Sequence, residues 1–414
     1  MIETNYVKIP KLRFHEFNDE WQIKKLGDIG ENIIGLTYSP KNVTKNTQCP
    51  IVLRSSNIKN DSLKFEDIVR VNLQIKAKLF VKVNDILICT RNGSQRLIGK
   101  NVLIKSLPQP ITFGAFMSVY RSSVNDFNIF LFKSSRYNKQ IQMNLGARIN
   151  QITTSYLNRF KFYYPSREEQ QKIAGFLTTV DDKCSILQQK IDLLKKYKNG
   201  ASRAIFTQKL RFKDVNGNLY SDWQEKRLGD LFEITSSKRV YEADWRSAGI
   251  PFYRTREILN LIDGRQIKSP IYITKELFKK YTTKYGEISR GDMLVTGVGT
   301  IGKIYVVNGD RTFYFKDGNV IWLKNNPKHC SDFIYYSFQT KYIQKQINDN
   351  ASITTVGTYT IDDAKKTKIL LPVKEEQQKI ANFLTVLDDK IKLEESKLEQ
   401  AKKFKKALLQ QMFI

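Results

Sequence analysis

PSREEQQKIAGFLTTVDDK at Pro165–Lys183 returns as PVKEEQQKIANFLTVLDDK at Pro372–Lys390, 207 residues later. A match of this length within one chain of 414 residues marks an internal duplication. Shorter echoes extend it. KLRF at Lys11–Phe14 recurs at Lys209–Phe212, and Trp21-Gln22 and Leu26-Gly27-Asp28 recur as Trp223-Gln224 and Leu228-Gly229-Asp230. Asp85-Ile86-Leu87 matches Asp292-Met293-Leu294, and Gly99-Lys100 matches Gly302-Lys303. The offset wanders between 198 and 207, so a framework persists while its loops change length. One scaffold carrying two different surfaces is the expected outcome.

Each copy opens with a β-rich part: IVLRS, FVKVNDILICT and FMSVYRS in the first, IPFYR, DMLVTGVG and NVIWLK in the second. Shorter helical patterns follow at Asp126–Leu145 and Cys330–Asn348. A long helix then begins at the duplicated stretch. Its apolar residues step by four and three: Ile173, Leu177, Val180, Cys184, Leu187, Ile191, Leu194, then Lys198, Ala201 and Ile205. The second copy keeps that register with Ile380, Leu384, Leu387, Ile391, Glu394, Leu398, Ala401, Lys405, Leu408 and Met412. A pattern held over nearly five heptads predicts a coiled-coil seam, with a lysine at the same seam site in both helices. Ser166-Arg167-Glu168-Glu169 has capping-box spacing, whereas Val373 replaces the cap serine in copy two and predicts a looser first turn. Gly200, where copy two has Ala407, is a place for a bend.

The predicted fold class is α+β: two β-rich domains separated by two long antiparallel coiled-coil helices, as a pseudo-twofold repeat. The expected boundaries are 1–165 for the first domain, 166–206 for the first helix, 207–222 for a linker, 223–372 for the second domain and 373–414 for the second helix.

Charge narrows the function. There are 69 Lys+Arg against 41 Asp+Glu, a formal net charge of +28, while 41% of residues are hydrophobic. That is too apolar for a disordered polycation, and a folded protein this basic calls for a polyanion. A membrane is the weaker candidate, because Ile111–Tyr120, the most apolar stretch, is too short and too polar to span. MIETNYVKIPKLRF at the start lacks a signal-peptide core, so a cytoplasmic location is the expectation. Four scattered cysteines and two histidines, His15 and His329, write no metal site and no redox pair.

TGVGTIG at Thr296–Gly302 contains G-x-G-x-x-G, but strand-like KIYVV follows where a dinucleotide loop needs a helix. A glycine-rich hairpin that lets the backbone approach a ligand fits better. The acidic pairs Asp181-Asp182 and Asp388-Asp389 sit beside Lys183 and Lys390 without a third ligand, so a solvated or partner-facing surface suits them better than a metal. Neither an Asn-Pro-Pro-Tyr methylation loop nor a nuclease carboxylate–lysine set occurs. The candidate DNA-binding residues are Arg54, Ser56, Asn57, Arg91, Asn92, Ser94, Gln95 and Arg96 in copy one, with Arg254, Thr255, Arg256 and Thr300 in copy two. Arginine, asparagine and glutamine make bidentate contacts with base edges, while lysine mostly meets phosphate.

LRFHEFNDEWQIKKLGDI (Leu12–Ile29), its second copy from Leu210 to Ile234, GDMLVTGVGTIGK (Gly291–Lys303) and the twin EEQQKIA…LDDK helix starts resemble the specificity subunit of type I restriction–modification systems. The resemblance spans almost the whole chain, although copy one has TRNGSQRLIGK in place of the glycine loop. It implies two target-recognition domains, each reading one half of an asymmetric bipartite duplex site, and spacer helices that dock two methyltransferase subunits. It implies no catalysis by this chain. S-adenosylmethionine would sit on the methyltransferase subunits, and ATP and Mg on restriction subunits. Two alternatives stay open at this point: a self-contained DNA-modifying enzyme, and a non-specific nucleic-acid-binding architectural protein.

Overall fold

The computed structural model describes residues 9–145, 150–309, 312–316, 318–351 and 357–414. MIETNYVK, the first part of the N-terminal stretch read above, lies outside them. The chain divides into two compact units, residues 9–189 with 395–414, and residues 190–394.

In the first unit a four-stranded antiparallel sheet runs in the order Glu31–Ile34, Met117–Arg121, Ile86–Cys89, Asn101–Leu103. A second sheet runs Ile111–Phe113, Ile51–Leu53, Val69–Val71, Val43–Thr44, with its first pair parallel. Gln22–Lys25 pairs with Lys161–Tyr164 at the base of the long helix. The second unit repeats the plan. Its main sheet runs Ile234–Thr235, Val320–Leu323, Met293–Thr296, Ile304–Val306, and Gln224–Arg227 pairs with Lys368–Leu371. Its second sheet has three strands, Ile271–Ile273, Ile250–Tyr253 and Tyr314–Phe315.

Between these shared strands the copies part. Where copy one has a 3-10 turn at Ser55–Asn57 and a small hairpin, copy two inserts the helices Thr255–Ile262 and Lys275–Tyr285. FVKVNDILICT is strand only at Ile86–Cys89, because the buried Asp85 carboxylate accepts the Lys82 amide at 2.7 Å and turns the chain. Asp292 does the same for the Ser289 amide at 2.8 Å. Each predicted short helix is two: Asn125–Leu131 and Ser135–Asn144, then Ser331–Phe338 and Lys341–Ala351. In the first pair the break is chemical, since the Ser134 hydroxyl accepts the Tyr137 amide.

The long helices are Arg167–Phe206 and Lys374–Met412, and the first continues through Gly200 as one element. The predicted seam residues are buried or half-buried along both. In the first unit Ile173 and Leu177 share a core with Leu408, Leu409 and Met412, and Val180 packs against it. In the second, Ile205 shares a core with Ile380, Ala381 and Leu384. The seam lysines are paired. Lys198 Nζ lies 2.6 Å from Asp388, and Lys405 pairs with Asp181. Lys190 adds a pair with the seam residue Glu394 at 2.9 Å. Within the second unit the partner number falls as the first helix advances, so the segments are antiparallel. Asp181 and Asp388, read above as surface carboxylates, thus neutralise the seam lysines. The sequence could not show this, because each partner lies across the pair of helices.

The scattered echoes converge at the base of each long helix. Glu169 is buried and takes two hydrogen bonds from the Arg13 guanidinium, both 2.8 Å, and one from Trp21 Nε1 at 3.3 Å. Glu376, fully buried, receives Arg211 at 3.2 and 2.9 Å and Trp223 Nε1 at 3.1 Å. The Ser166 hydroxyl caps the Glu169 amide at 3.3 Å, but the Glu169 carboxylate does not close the box. It is committed to Arg13 and Trp21. Phe14 meets Phe176 and Phe212 meets Phe383 edge to face, at 5.7 and 5.8 Å. Desolvating a carboxylate costs several kcal/mol unless a bidentate cation accompanies it, which explains why KLRF, the tryptophan and EEQQ recur together.

Candidate nucleic-acid interface

The glycine loop of copy two is a hairpin between Met293–Thr296 and Ile304–Val306, with no helix following it. Gly302 has φ +71°, and a Cβ there would fall 2.9 Å from Ile347. Its counterpart Gly99 has φ +82° and would meet Ile141 at the same distance. These duplicated glycines therefore serve packing against the helices Ser135–Asn144 and Lys341–Ala351. Gly299, at the hairpin tip with φ +78°, has nothing near its missing Cβ and faces open space.

That tip forms one wall of a cleft of about 600 Å³ whose other wall is the helix Thr255–Ile262. Thr255, Arg256 and Thr300 all line it, so three of the four predicted copy-two residues are brought together. Arg254 is not among the lining residues. It forks onto Glu257 with two 3.0 Å bonds and stacks over Trp245 at 5.6 Å. Burial alone would raise the Glu257 carboxyl, but hydrogen bonds from Arg254, its amide and Arg256 outweigh it and hold the pKa below the ordinary value. The Arg256 side chain remains 66% exposed although its Nε reaches Glu257 at 3.0 Å. Glu257 thus anchors one arginine and aims the next. Sequence reasoning missed Asn260, Arg265, Lys303 and Asn319, which also line the cleft. The helix period from Arg256 to Asn260 was the available signal for one of them.

In copy one the two predicted clusters meet. Asn92 Nδ2 donates to Ser55 Oγ at 2.9 Å, and Asn92 Oδ1 accepts the Ser94 amide at 2.9 Å. This joins the 91–96 loop to the 54–57 turn. Arg91 is exposed and lies over the Phe116 ring at 4.9 Å, while Ser94, Gln95 and Arg96 are exposed beyond it. Asn57 is 1% exposed, and its side chain donates to the Lys64 and Asp67 carbonyls and accepts the Arg54 amide. Arg54 is paired with Asp67 at 2.6 Å, and the exposed Ser56 hydroxyl reaches the same carboxylate at 3.3 Å. Arg54 and Asn57 therefore shape the turn that carries Ser56.

Among the described residues no group of three or more His, Cys, Asp or Glu is placed to hold a metal ion, and no helix is long and apolar enough to cross a membrane. The four cysteines are free, and burial pushes the Cys89 thiol up to about 11.

The family model described as type I restriction modification DNA specificity domain matches residues 18–196 and again 220–403. The type I restriction enzyme MjaVIII specificity subunit of Methanocaldococcus jannaschii is 22% identical over 422 residues, covering 98% of this chain and 94% of that one. The StySPI specificity subunit of Salmonella potsdam is 29% identical over 385 residues, covering 87% and 80%. The crystal structure of the M. genitalium type I restriction–modification S subunit shares the fold with a TM-score of 0.61 at 16% identity, covering 98% of this chain and 99% of that one.

Proposed function

This chain belongs to the type I restriction modification DNA specificity family, and on that premise we propose that its two units read two different half-sites of one double-stranded DNA target. The observation that carries the reading is the contrast between framework and loops. Strand order, buried ion pair and seam are duplicated, while the exposed polar residues are displayed from a 3-10 turn and loop in one copy and from a helix and hairpin in the other. Two unlike reading surfaces give an asymmetric, bipartite site.

The expected base-reading residues are Arg91, Ser94, Gln95 and Ser56 for the first half-site, and Thr255, Arg256 and Thr300 for the second. The domain limits remain those of the sequence reading, residues 1–165 and 223–372. The long helices, about 60 Å each at 1.5 Å per residue, would set the unread spacer. Off the seam, Ile186, Leu193 and Tyr197 on the first and Val386, Leu393 and Phe404 on the second are each more than half exposed. Ile186 and Tyr197 correspond to Leu393 and Phe404 across the repeat. A duplicated apolar stripe suits two copies of one partner, and methyltransferase subunits fit that description. Those subunits would supply S-adenosylmethionine chemistry, with ATP and Mg on restriction subunits, so that this chain positions DNA without catalysing.

Reconstitution with the methyltransferase subunits tests the assignment. Arg91→Ala with Gln95→Ala should relax the first half-site only, and Arg256→Ala the second only, each bidentate base pairing removed costing ~1–3 kcal/mol. Equal weakening on every duplex would assign these residues to the phosphate backbone instead.

A further inference from the structure

A second cleft, of about 420 Å³, lies in the first unit where the recognition framework meets the last turns of the second long helix. Six cations line it: Arg96, Lys100, Lys133, Lys402, Lys405 and Lys406. Two carboxylates answer them, Asp61 to Lys133 at 3.0 Å and Asp181 to Lys405. Lys100 Nζ is held by the Ile58 carbonyl at 2.5 Å. Arg96, Lys402 and Lys406 make no ion pair among the described residues. Lys133 is the most telling of the six. Its side chain is 15% exposed, while its ion-pair partner, Asp61, is 61% exposed. Burial pushes its pKa down and Lys405 pushes the same way, while Asp61 and Asp181 offset them in part. A largely buried ammonium whose one paired carboxylate is solvent-exposed, beside a second cation, can accommodate further negative charge.

The feature is only partly duplicated. Gly99 and Ile141 match Gly302 and Ile347 in contact geometry, and counting inward from those helices Lys133 falls opposite Gln339. Lys406 falls opposite Asn199. Copy two thus keeps a cation opposite Lys100, Lys402 and Lys405, at Lys303, Lys195 and Lys198, but has none opposite Lys133 and Lys406.

We propose that this cleft takes a backbone phosphate of the duplex flanking the first half-site. The inference rests on the DNA-reading assignment above, and continuity favours it. Arg96 belongs to the same 91–96 loop that displays Arg91, Ser94 and Gln95, so a strand followed by that loop continues into the cleft. Lysines around a concave site suit a phosphate, which needs charge without base-edge geometry.

The test is Lys402→Gln with Lys406→Gln, both exposed and off the seam, in the chain reconstituted with its methyltransferase subunits. Binding is measured on target and non-target duplexes across a salt series. The expected result is equal weakening on both duplexes, a log–log salt slope shallower by about 1 for each phosphate no longer neutralised, and an unchanged methylated sequence. An unchanged slope, or loss of the methyltransferase subunits from the complex at low salt, overturns the proposal; the second outcome would mean that the cations face a protein. Failure of the DNA-reading assignment shows elsewhere, as a wild-type complex that does not distinguish target from non-target duplex.

Discussion

At the scale of single residues, two arginines that look alike in sequence do different work. Arg254 is spent on Glu257, and Arg256 is aimed outward by the same carboxylate. Arg254→Ala should therefore lower stability while sparing half-site choice, and Arg256→Ala should do the reverse. Thermal unfolding beside a binding profile separates the two. The Glu257 pKa is depressed in the folded chain, so its contribution is present above the unfolded value and is lost as pH falls through the lower, folded one. The wild-type advantage over Arg254→Ala should shrink in that acidic window. A larger effect is expected at the duplicated ion pair. Arg211→Ala leaves Glu376 buried and unpaired and should cost about 3–5 kcal/mol by chemical denaturation, as should Arg13→Ala with Glu169. A loss under ~1 kcal/mol in either would mean that the buried carboxylate does not depend on its arginine. These roles were only half legible beforehand. The recurrence of KLRF, Trp-Gln and EEQQ announced that something was shared, but the contacts span more than 150 residues in each copy. Likewise the composition of a polar loop does not tell which asparagine points inward, and Asn57 does.

At the scale of elements, the seam was legible because heptad spacing is a local property. Ile173 to Ile205 and Ile380 to Met412 are buried or half-buried as the period requires. The partners of its lysines were not legible, since Asp181 and Asp388 reach them only from the facing helix. Strand ends were lost for a similar reason: a side chain such as Asp85 can end a strand that propensity would extend. If the paired helices set the spacer, their length should be readable in the DNA. One heptad inserted at matched positions in both helices keeps the seam and adds ~10 Å, or about 3 bp. Methylome sequencing of a functional insertion mutant should report a spacer longer by that amount with both half-sites unchanged. The original spacer would replace the ruler with a flexible tether.

At the scale of the whole molecule, the repeat is cyclic. The Leu12 amide donates to the Gln411 carbonyl at 3.0 Å, and the Leu210 amide donates to the Ala204 carbonyl at 3.1 Å. Phe413 packs on Trp21 and Phe127 as Phe206 packs on Trp223 and Phe333. The contacts of Leu12, Gln411 and Phe413 thus take, in the first unit, the place that the junction at 204–210 takes in the second. A permutant that joins Ile414 to the N-terminus and opens between Phe206 and Arg211 should assemble with the methyltransferase subunits and methylate the same sequence. Failure to assemble, with the linker long enough, would mean that the junction carries more than connectivity. Two unlike units should read two unlike half-sites. Sequencing the methylome of cells that express this chain with its methyltransferase subunits decides the point. One asymmetric motif is expected, with two different short half-sites separated by a fixed unread gap. A palindromic motif, or a continuous one without a gap, would contradict it.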